Sequence, residues 1–181
     1  MYVPETGHIV GAVNANGVTP QLIPNPPPAT GFSVDPTWLV GTALPMRVAV
    51  GPGKLAPVSL PAGALKVHTP DDESGVLTDP LMYGVELVGT TPQPALVRLP
   101  SWSNRLEFVD AGLRVTVPDV TTEDTLVVAW ISDGEDTQKV SGTISKGTSE
   151  RTLLVTVASG PHGVLVLVAG LAGRLEEVSA P

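Results

Sequence analysis

The sequence predicts an all-β protein, a β-sandwich or small barrel preceded by an extended proline-rich arm. Valine dominates its apolar residues, because the 181-residue chain has 27 Val but only four Ile. Val is β-branched and suits the pleated, half-buried surface of a strand better than a helix. Apolar runs recur about every 8–12 residues between Gly, Pro and Asp turns, as is typical of sandwiches and barrels. No window of about twelve residues keeps the 3.6-residue period of an amphipathic helix.

Charge and proline content divide the chain near residue 65. Residues 1–65 hold 11 of the 19 prolines but only four charged residues, and the other 24 charged residues follow. Proline fixes φ and lacks an N–H, so a proline-dense stretch neither forms a helix nor fits inside a sheet. Strand patterns begin at about residue 45, within this proline-rich part. We therefore assign residues 1–44 to an extended, charge-poor arm and residues 45–181 to an all-β domain.

The arm combines its prolines with large apolar side chains. Disordered chains are rich in charge and poor in such side chains. Two alternatives remain, an ordered arm that packs on its own domain or on a neighbouring subunit, and a partly disordered arm. We favour the ordered arm and expect its large side chains to make the contacts. The candidate interaction residues of the arm are Ile9, Val10, Leu22, Ile23, Phe32 and Trp38.

Short apolar runs between turn residues predict the strands of the first part of the domain. Gly51-Pro-Gly53 and Asp110-Ala-Gly112 each separate two such runs, which predicts two hairpins. The predicted strands here are Met46–Val50, Leu55–Leu60, Ala64–His68, Tyr83–Val88, Arg105–Val109 and Leu113–Val117.

The last third of the chain has the clearest strand patterns. Leu126–Ile131 is continuously apolar between turn residues, which predicts a strand buried on both faces. Apolar Leu153, Val155 and Val157 alternate with polar residues, which predicts a half-buried strand. Two further predicted strands, Thr137–Ile144 and Val164–Ala169, follow predicted turns at Ser132–Asp136 and Ala158–Gly163.

Patterns that carry catalysis or hold a metal or cofactor are not recognisable in the sequence. His8, His68 and His162 lack metal-ligand spacing, and Gly51-Pro-Gly53-Lys54 lacks the rest of a phosphate loop. No serine nucleophile motif is present. The acidic stretches 71–73 and 133–136 lack the spacing of a calcium loop. We expect a protein that is not an enzyme and that uses neither a metal nor a cofactor.

Composition also argues against nucleic-acid and membrane partners. The chain has ten basic and 18 acidic residues, a net charge of −8, and no run of Lys or Arg. Phosphate backbones are recognised by clustered cations. The longest apolar stretch, Gly163–Gly173, is about half of the ~20 residues that span a bilayer, and the N-terminus lacks the pattern of a signal peptide. The chain contains no cysteine, so disulfides are excluded.

Trp102 lies in the polar stretch Pro100-Ser-Trp-Ser-Asn104. An indole on a polar loop can anchor a protein or a sugar, since Trp offers a large apolar area with one polar group. Trp is also highly buried on average. Trp102 is therefore either a surface anchor or a core residue under a loop.

An all-β domain behind a charge-poor, proline-rich arm resembles the small virion proteins of tailed bacteriophages, such as head-decoration and minor tail or baseplate proteins. The resemblance lies in architecture and composition over the whole chain. It implies a homo-oligomeric structural component of the virion, without a cofactor, whose arm clamps neighbouring copies or other structural proteins. Deleting residues 1–30 would then prevent assembly but leave the domain folded. The alternative is a carbohydrate-binding or adhesin-like β-sandwich that binds a glycan through Trp102 and loop acids.

Overall fold

The computed structural model describes residues 2–11, 43–49, 55–61, 65, 75–88 and 93–181. Within these ranges the only helices are α1 (Gly75–Thr78) and a 3-10 helix (Pro80–Met82), and all strand pairs are antiparallel. The all-β prediction is confirmed. The strands are β1 Ala43–Ala49, β2 Leu55–Pro61, β3 Tyr83–Val88, β4 Gln93–Arg98, β5 Leu106–Val109, β6 Gly112–Thr116, β7 Thr125–Ser132, β8 Thr137–Ile144, β9 Glu150–Leu154, β10 Gly160–Val168 and β11 Arg174–Ala180.

Two sheets contribute side chains to the main core. One has the strand order β11-β10-β7-β8 and the other the order β5-β6-β9. Side chains alternate between the two faces of a strand, so the inward positions of both sheets share one apolar interior. Its buried residues are Trp102, Leu106, Phe108, Leu113, Val115, Val117, Val127, Ala129, Ile131, Ile144, Leu153, Val164, Val166, Val168, Val178 and Ala180.

A second core lies on the outer face of the four-stranded sheet. The β1–β2 hairpin and residues 2–11, which we call the N-terminal segment, cover this face. Strands β7 and β10 are thereby buried on both faces, as the continuous run Leu126–Ile131 predicts. The buried residues of this outer core are Val3, Val10, Val58, Leu60, Leu65, Val128, Trp130, Leu165 and Leu167.

The N-terminal segment also extends the small β3–β4 sheet. The Ile9 N–H donates to the Tyr83 carbonyl at 2.9 Å, and the Val85 N–H donates to the Gly7 carbonyl at 2.8 Å. Isolated bridges join His8 to Gly84 and Tyr2 to Ile9. The N-terminal segment therefore pairs with and packs on its own chain.

Most predicted strands agree with the structure, and the differences are local. β1 pairs with β2, and β5 pairs with β6, as the two predicted hairpins require. The predicted turn Ala158–Gly163 is wrong from Gly160 onward, because β10 begins there. The predicted strand positions Val155 and Val157 lie beyond the end of β9 at Leu154. Strands β4 and β11 have no counterpart among the predicted strands. Of the predicted strand Ala64–His68, only Leu65 lies within the described residues, and it is buried outside a strand.

Gly112, at the β5–β6 hairpin, gives a test of this local structure. Its φ is +136°, and a Cβ there would lie 2.1 Å from the Leu153 carbonyl oxygen of β9. We expect Gly112→Ala to destabilise the protein clearly more than Gly147→Ala. Gly147 also has a positive φ, +84°, but a Cβ there would meet nothing within 4 Å. The control should cost about 1 kcal/mol, the penalty of a left-handed backbone. Denaturant unfolding of both variants measures the difference, and equal losses would contradict the close approach.

Candidate functional site

The candidate interaction residues of the arm fall into two groups. Ile9 and Val10 are buried, with 4% and 3% of their surface exposed. Ile9 packs with Val76 and Tyr83, and Val10 joins the outer core. Both side chains thus pack within their own chain. The other four, Leu22, Ile23, Phe32 and Trp38, lie outside the described residues.

Trp102 is a buried residue under its loop, the second of the two alternatives for this side chain. It is 8% exposed, and its Nε1–H donates to the Ala172 carbonyl at 2.8 Å. The Arg174 guanidinium lies over the ring, 4.4 Å from its centroid. This cation–π contact covers one face of the indole. Trp102 therefore presents no open ring face for a sugar or a protein partner.

The turn between β10 and β11 joins separate parts of the fold. The Ala172 N–H donates to Pro100 and the Gly173 N–H donates to Leu81, at 2.9 and 2.7 Å. Arg174 donates to the Asn104 carbonyl and to both carboxylate oxygens of Glu176. These bonds attach the 100–104 loop and the 3-10 helix to the four-stranded sheet. We call residues 171–174 the junction turn.

His8 fastens the N-terminal segment to the same turn. Its ring is fully buried, and Nε2–H donates to the Leu171 carbonyl at 2.6 Å. Nδ1 is buried and makes no hydrogen bond. Burial lowers the pKa of His8 below its ordinary value of 6.5, against opposing effects from the Leu171 and Thr6 backbone groups.

The acidic turn before β8 is organised by its own backbone. Asp133 Oδ1 accepts hydrogen bonds from the Glu135 and Asp136 N–H groups at 2.8 and 3.0 Å. These two bonds lower the pKa of Asp133, since they stabilise the ionised carboxylate. The side chain points to solvent. The turn is a solvated loop.

A shallow surface pocket lies between the 117–125 loop and the start of the junction turn, with a volume of about 220 Å³. The loop is held by Thr121, whose Oγ1–H lies within bonding distance of the Ser145 and Thr148 carbonyls. Asp119 and Glu123 are its charged lining residues.

In the described ranges, no group of three or more His, Cys, Asp or Glu side chains could hold a metal ion. No helix in those ranges is long and apolar enough to cross a membrane.

Comparison with known proteins gives no relative: no family model, no curated protein and no solved structure matches the chain.

Sequence reasoning missed His8 and the junction turn. A lone His in MYVPETGHIV has no metal-ligand or catalytic spacing, and its partner Leu171 lies 163 residues away. The available signal was the apolar pair Ile9–Val10 directly after the histidine. This pair indicates a buried segment, and a His within such a segment must find a buried hydrogen-bond partner.

Proposed function

We propose that this chain is a non-enzymatic structural protein of an assembly, a virion component of a tailed bacteriophage such as a capsid decoration or minor tail protein. It contacts neighbouring copies or other structural proteins through residues 12–42, the middle part of the predicted arm. The observation that carries the proposal is that residues 12–42 are attached to the domain at both ends. The N-terminal segment holds one end on the domain, and β1, paired with β2, holds the other.

The stretch between these two anchors has the composition of a contact element. Its 31 residues include six prolines and a single charged residue, Asp35. Large apolar side chains with so little charge gain stability only by leaving water. The side chains best suited to bury area against a partner are Leu22, Ile23, Phe32 and Trp38.

The length of the stretch is sufficient to reach a neighbour. An extended chain spans at most about 3.3 Å per residue, so 31 residues measure about 100 Å and reach about 50 Å out and back. A folded domain of 181 residues has a radius of gyration of about 16 Å. A segment fixed at both ends can therefore lie along an adjacent subunit.

The low charge of the whole chain supports the same proposal. Charged residues make up 15% of the sequence, against about 25% in typical soluble domains. A protein with few charges commonly covers part of its surface with a partner. The carbohydrate-binding alternative places its site at Trp102 and loop acids, and the burial of the Trp102 ring removes the stacking surface of that site.

The test replaces residues 12–42 with a Gly/Ser segment of equal length and keeps the N-terminal segment. We expect assembly, measured by sedimentation, to be lost. The thermal midpoint should shift by less than about 4 °C, which corresponds to about 1 kcal/mol for a domain of this size. Deleting residues 1–30 is a poorer test, because it also removes the buried Val3, Ile9 and Val10 and should lower stability.

A rescue variant serves as the control for this experiment. It restores Leu22, Ile23, Phe32 and Trp38 within the Gly/Ser segment, and it should recover part of the assembly if these side chains make the contacts. Normal assembly of the Gly/Ser variant would contradict the proposal. So would an unmodified chain that remains monomeric both alone and with the structural proteins of its source.

A further inference from the structure

We propose that the N-terminal segment is an acid-sensitive latch, in which neutral His8 holds residues 2–11 over the outer face of the four-stranded sheet. Protonation of the imidazole would release the segment and expose the apolar side chains beneath it. Such a latch would act whether or not the chain has the proposed assembly role.

The burial and hydrogen bonding of the His8 side chain favour the neutral imidazole. Its side chain is fully buried, and the one hydrogen bond it makes, from Nε2 to the Leu171 carbonyl, needs a single ring proton. Nδ1 carries no bonded proton, and Thr6 Oγ1 is also buried without a partner. A second ring proton would place a full positive charge in this buried site, where the Leu171 and Thr6 backbone groups offset only part of the effect of burial. Burying a charge without a counter-ion is costly, so the segment should leave rather than hold it.

Carboxylates around the site are engaged elsewhere or exposed. Glu5 of the same segment pairs with Lys139 of β8 at 2.7 Å, and Glu86 of β3 points to solvent. Beyond the junction turn, Glu176 is bound to Arg174. No charged side chain is among the groups that shift the pKa of His8, which burial lowers. An imidazolium at this position would therefore lack a counter-ion.

The segment can open without dismantling the domain. It contributes Val3 and Val10 to the outer core, above Val128 and Trp130, but no residue to the main core between the sheets. Backbone hydrogen bonds join it to Tyr83 and Val85 of β3. Local opening of a small unit costs less than global unfolding.

The direction of the pH effect follows from linkage. In the open state His8 is exposed and titrates near its ordinary value of 6.5, whereas burial lowers its pKa in the closed state. The latch is fully stable above pH ~6.5 and loses stability as the pH falls from there toward the closed-state pKa. In that window the ratio of open to closed molecules rises by up to about tenfold per pH unit.

The absence of cysteine allows a direct test by thiol labelling. Val3→Cys places a small apolar thiol at a position that is 1% exposed, and it should react only when the latch opens. The probe is 4,4′-dithiodipyridine, and each rate is divided by that of the unfolded chain at the same pH. We expect the normalised rate for Val3→Cys to rise several-fold between pH 7.5 and pH 5.5.

Two further chains make the outcome decisive. Val166→Cys, at a fully buried site of the main core, should keep a constant normalised rate over this range. His8→Gln in the Val3→Cys chain retains a donor for Leu171 but does not titrate, so its rate should not vary with pH. Parallel rises at Val3 and Val166 would show global unfolding and overturn the latch. A flat rate for Val3→Cys would also overturn it, even if the His8→Gln chain failed to fold.

Discussion

Replacing Val128 by Asp should abolish folding of the β domain. Val128 is 1% exposed in β7, which lies between β10 and β8 and has a core on each face. A carboxylate there would be buried with no counter-ion, a change that costs several kcal/mol. Domain stabilities are only about 5–15 kcal/mol. We expect the variant to be insoluble, or to lose its cooperative thermal transition in circular dichroism.

Leu154→Asp is the matched control for this substitution. Leu154 also lies in a strand, β9, but 76% of its surface is exposed. Replacing an apolar side chain by Asp at such a surface site should alter stability by no more than about 0.5 kcal/mol. A soluble, cooperatively folded Val128→Asp protein would contradict the burial of β7 on both faces.

The sequence predicted β7 well because burial on both faces leaves a direct signature. Every residue from Leu126 to Ile131 is apolar, since neither face of the strand meets water. The β5–β6 hairpin was predicted equally well. Its turn requires a positive φ at Gly112, and Gly adopts that conformation without strain.

The strands that were missed lie at edges, where burial is weaker and the pattern is diluted. β11 reads Arg-Leu-Glu-Glu-Val-Ser-Ala and pairs only with β10. β4 contains Pro94, which argues against a strand, but it pairs only with β3 and Pro is tolerated on an edge. β10 begins with Gly160 and Pro161, residues typical of turns, which pair with β11 but not with β7.

The candidate site depends on long-range contacts that local patterns do not encode. The bond from Trp102 to Ala172 joins residues 70 apart in the chain, and the bond from His8 to Leu171 joins residues 163 apart. Composition could place Ile9 and Val10 in contact with some surface. It could not say that the surface belongs to the same chain, because an apolar side chain carries no information about which apolar partner it meets.

Trp102→Ala should cause the second large loss, about 3–5 kcal/mol, the usual cost of truncating a buried aromatic residue. The substitution removes the ring from the main core, the Nε1–H bond to Ala172 and the surface on which Arg174 rests. Because the junction turn also attaches the 100–104 loop, we expect the turn and the loop to lose their fixed positions together. For a domain of this size the thermal midpoint should fall by roughly 6–20 °C.

Trp102→Phe separates packing from hydrogen bonding at this position. Phenylalanine keeps most of the buried area but leaves the Ala172 carbonyl without the donor that now lies at 2.8 Å. An unsatisfied buried acceptor costs about 1–3 kcal/mol, so the stability of this variant should lie between those of the native chain and Trp102→Ala.

The fluorescence of Trp102, isolated in a chain with Trp38 and Trp130 replaced by Phe, should be that of a buried indole. If Trp102→Ala shifted the midpoint by less than about 2 °C and the fluorescence were that of a solvated indole, the ring would be exposed in solution. The surface-anchor alternative would then return, and with it the glycan-binding hypothesis that the buried ring argues against.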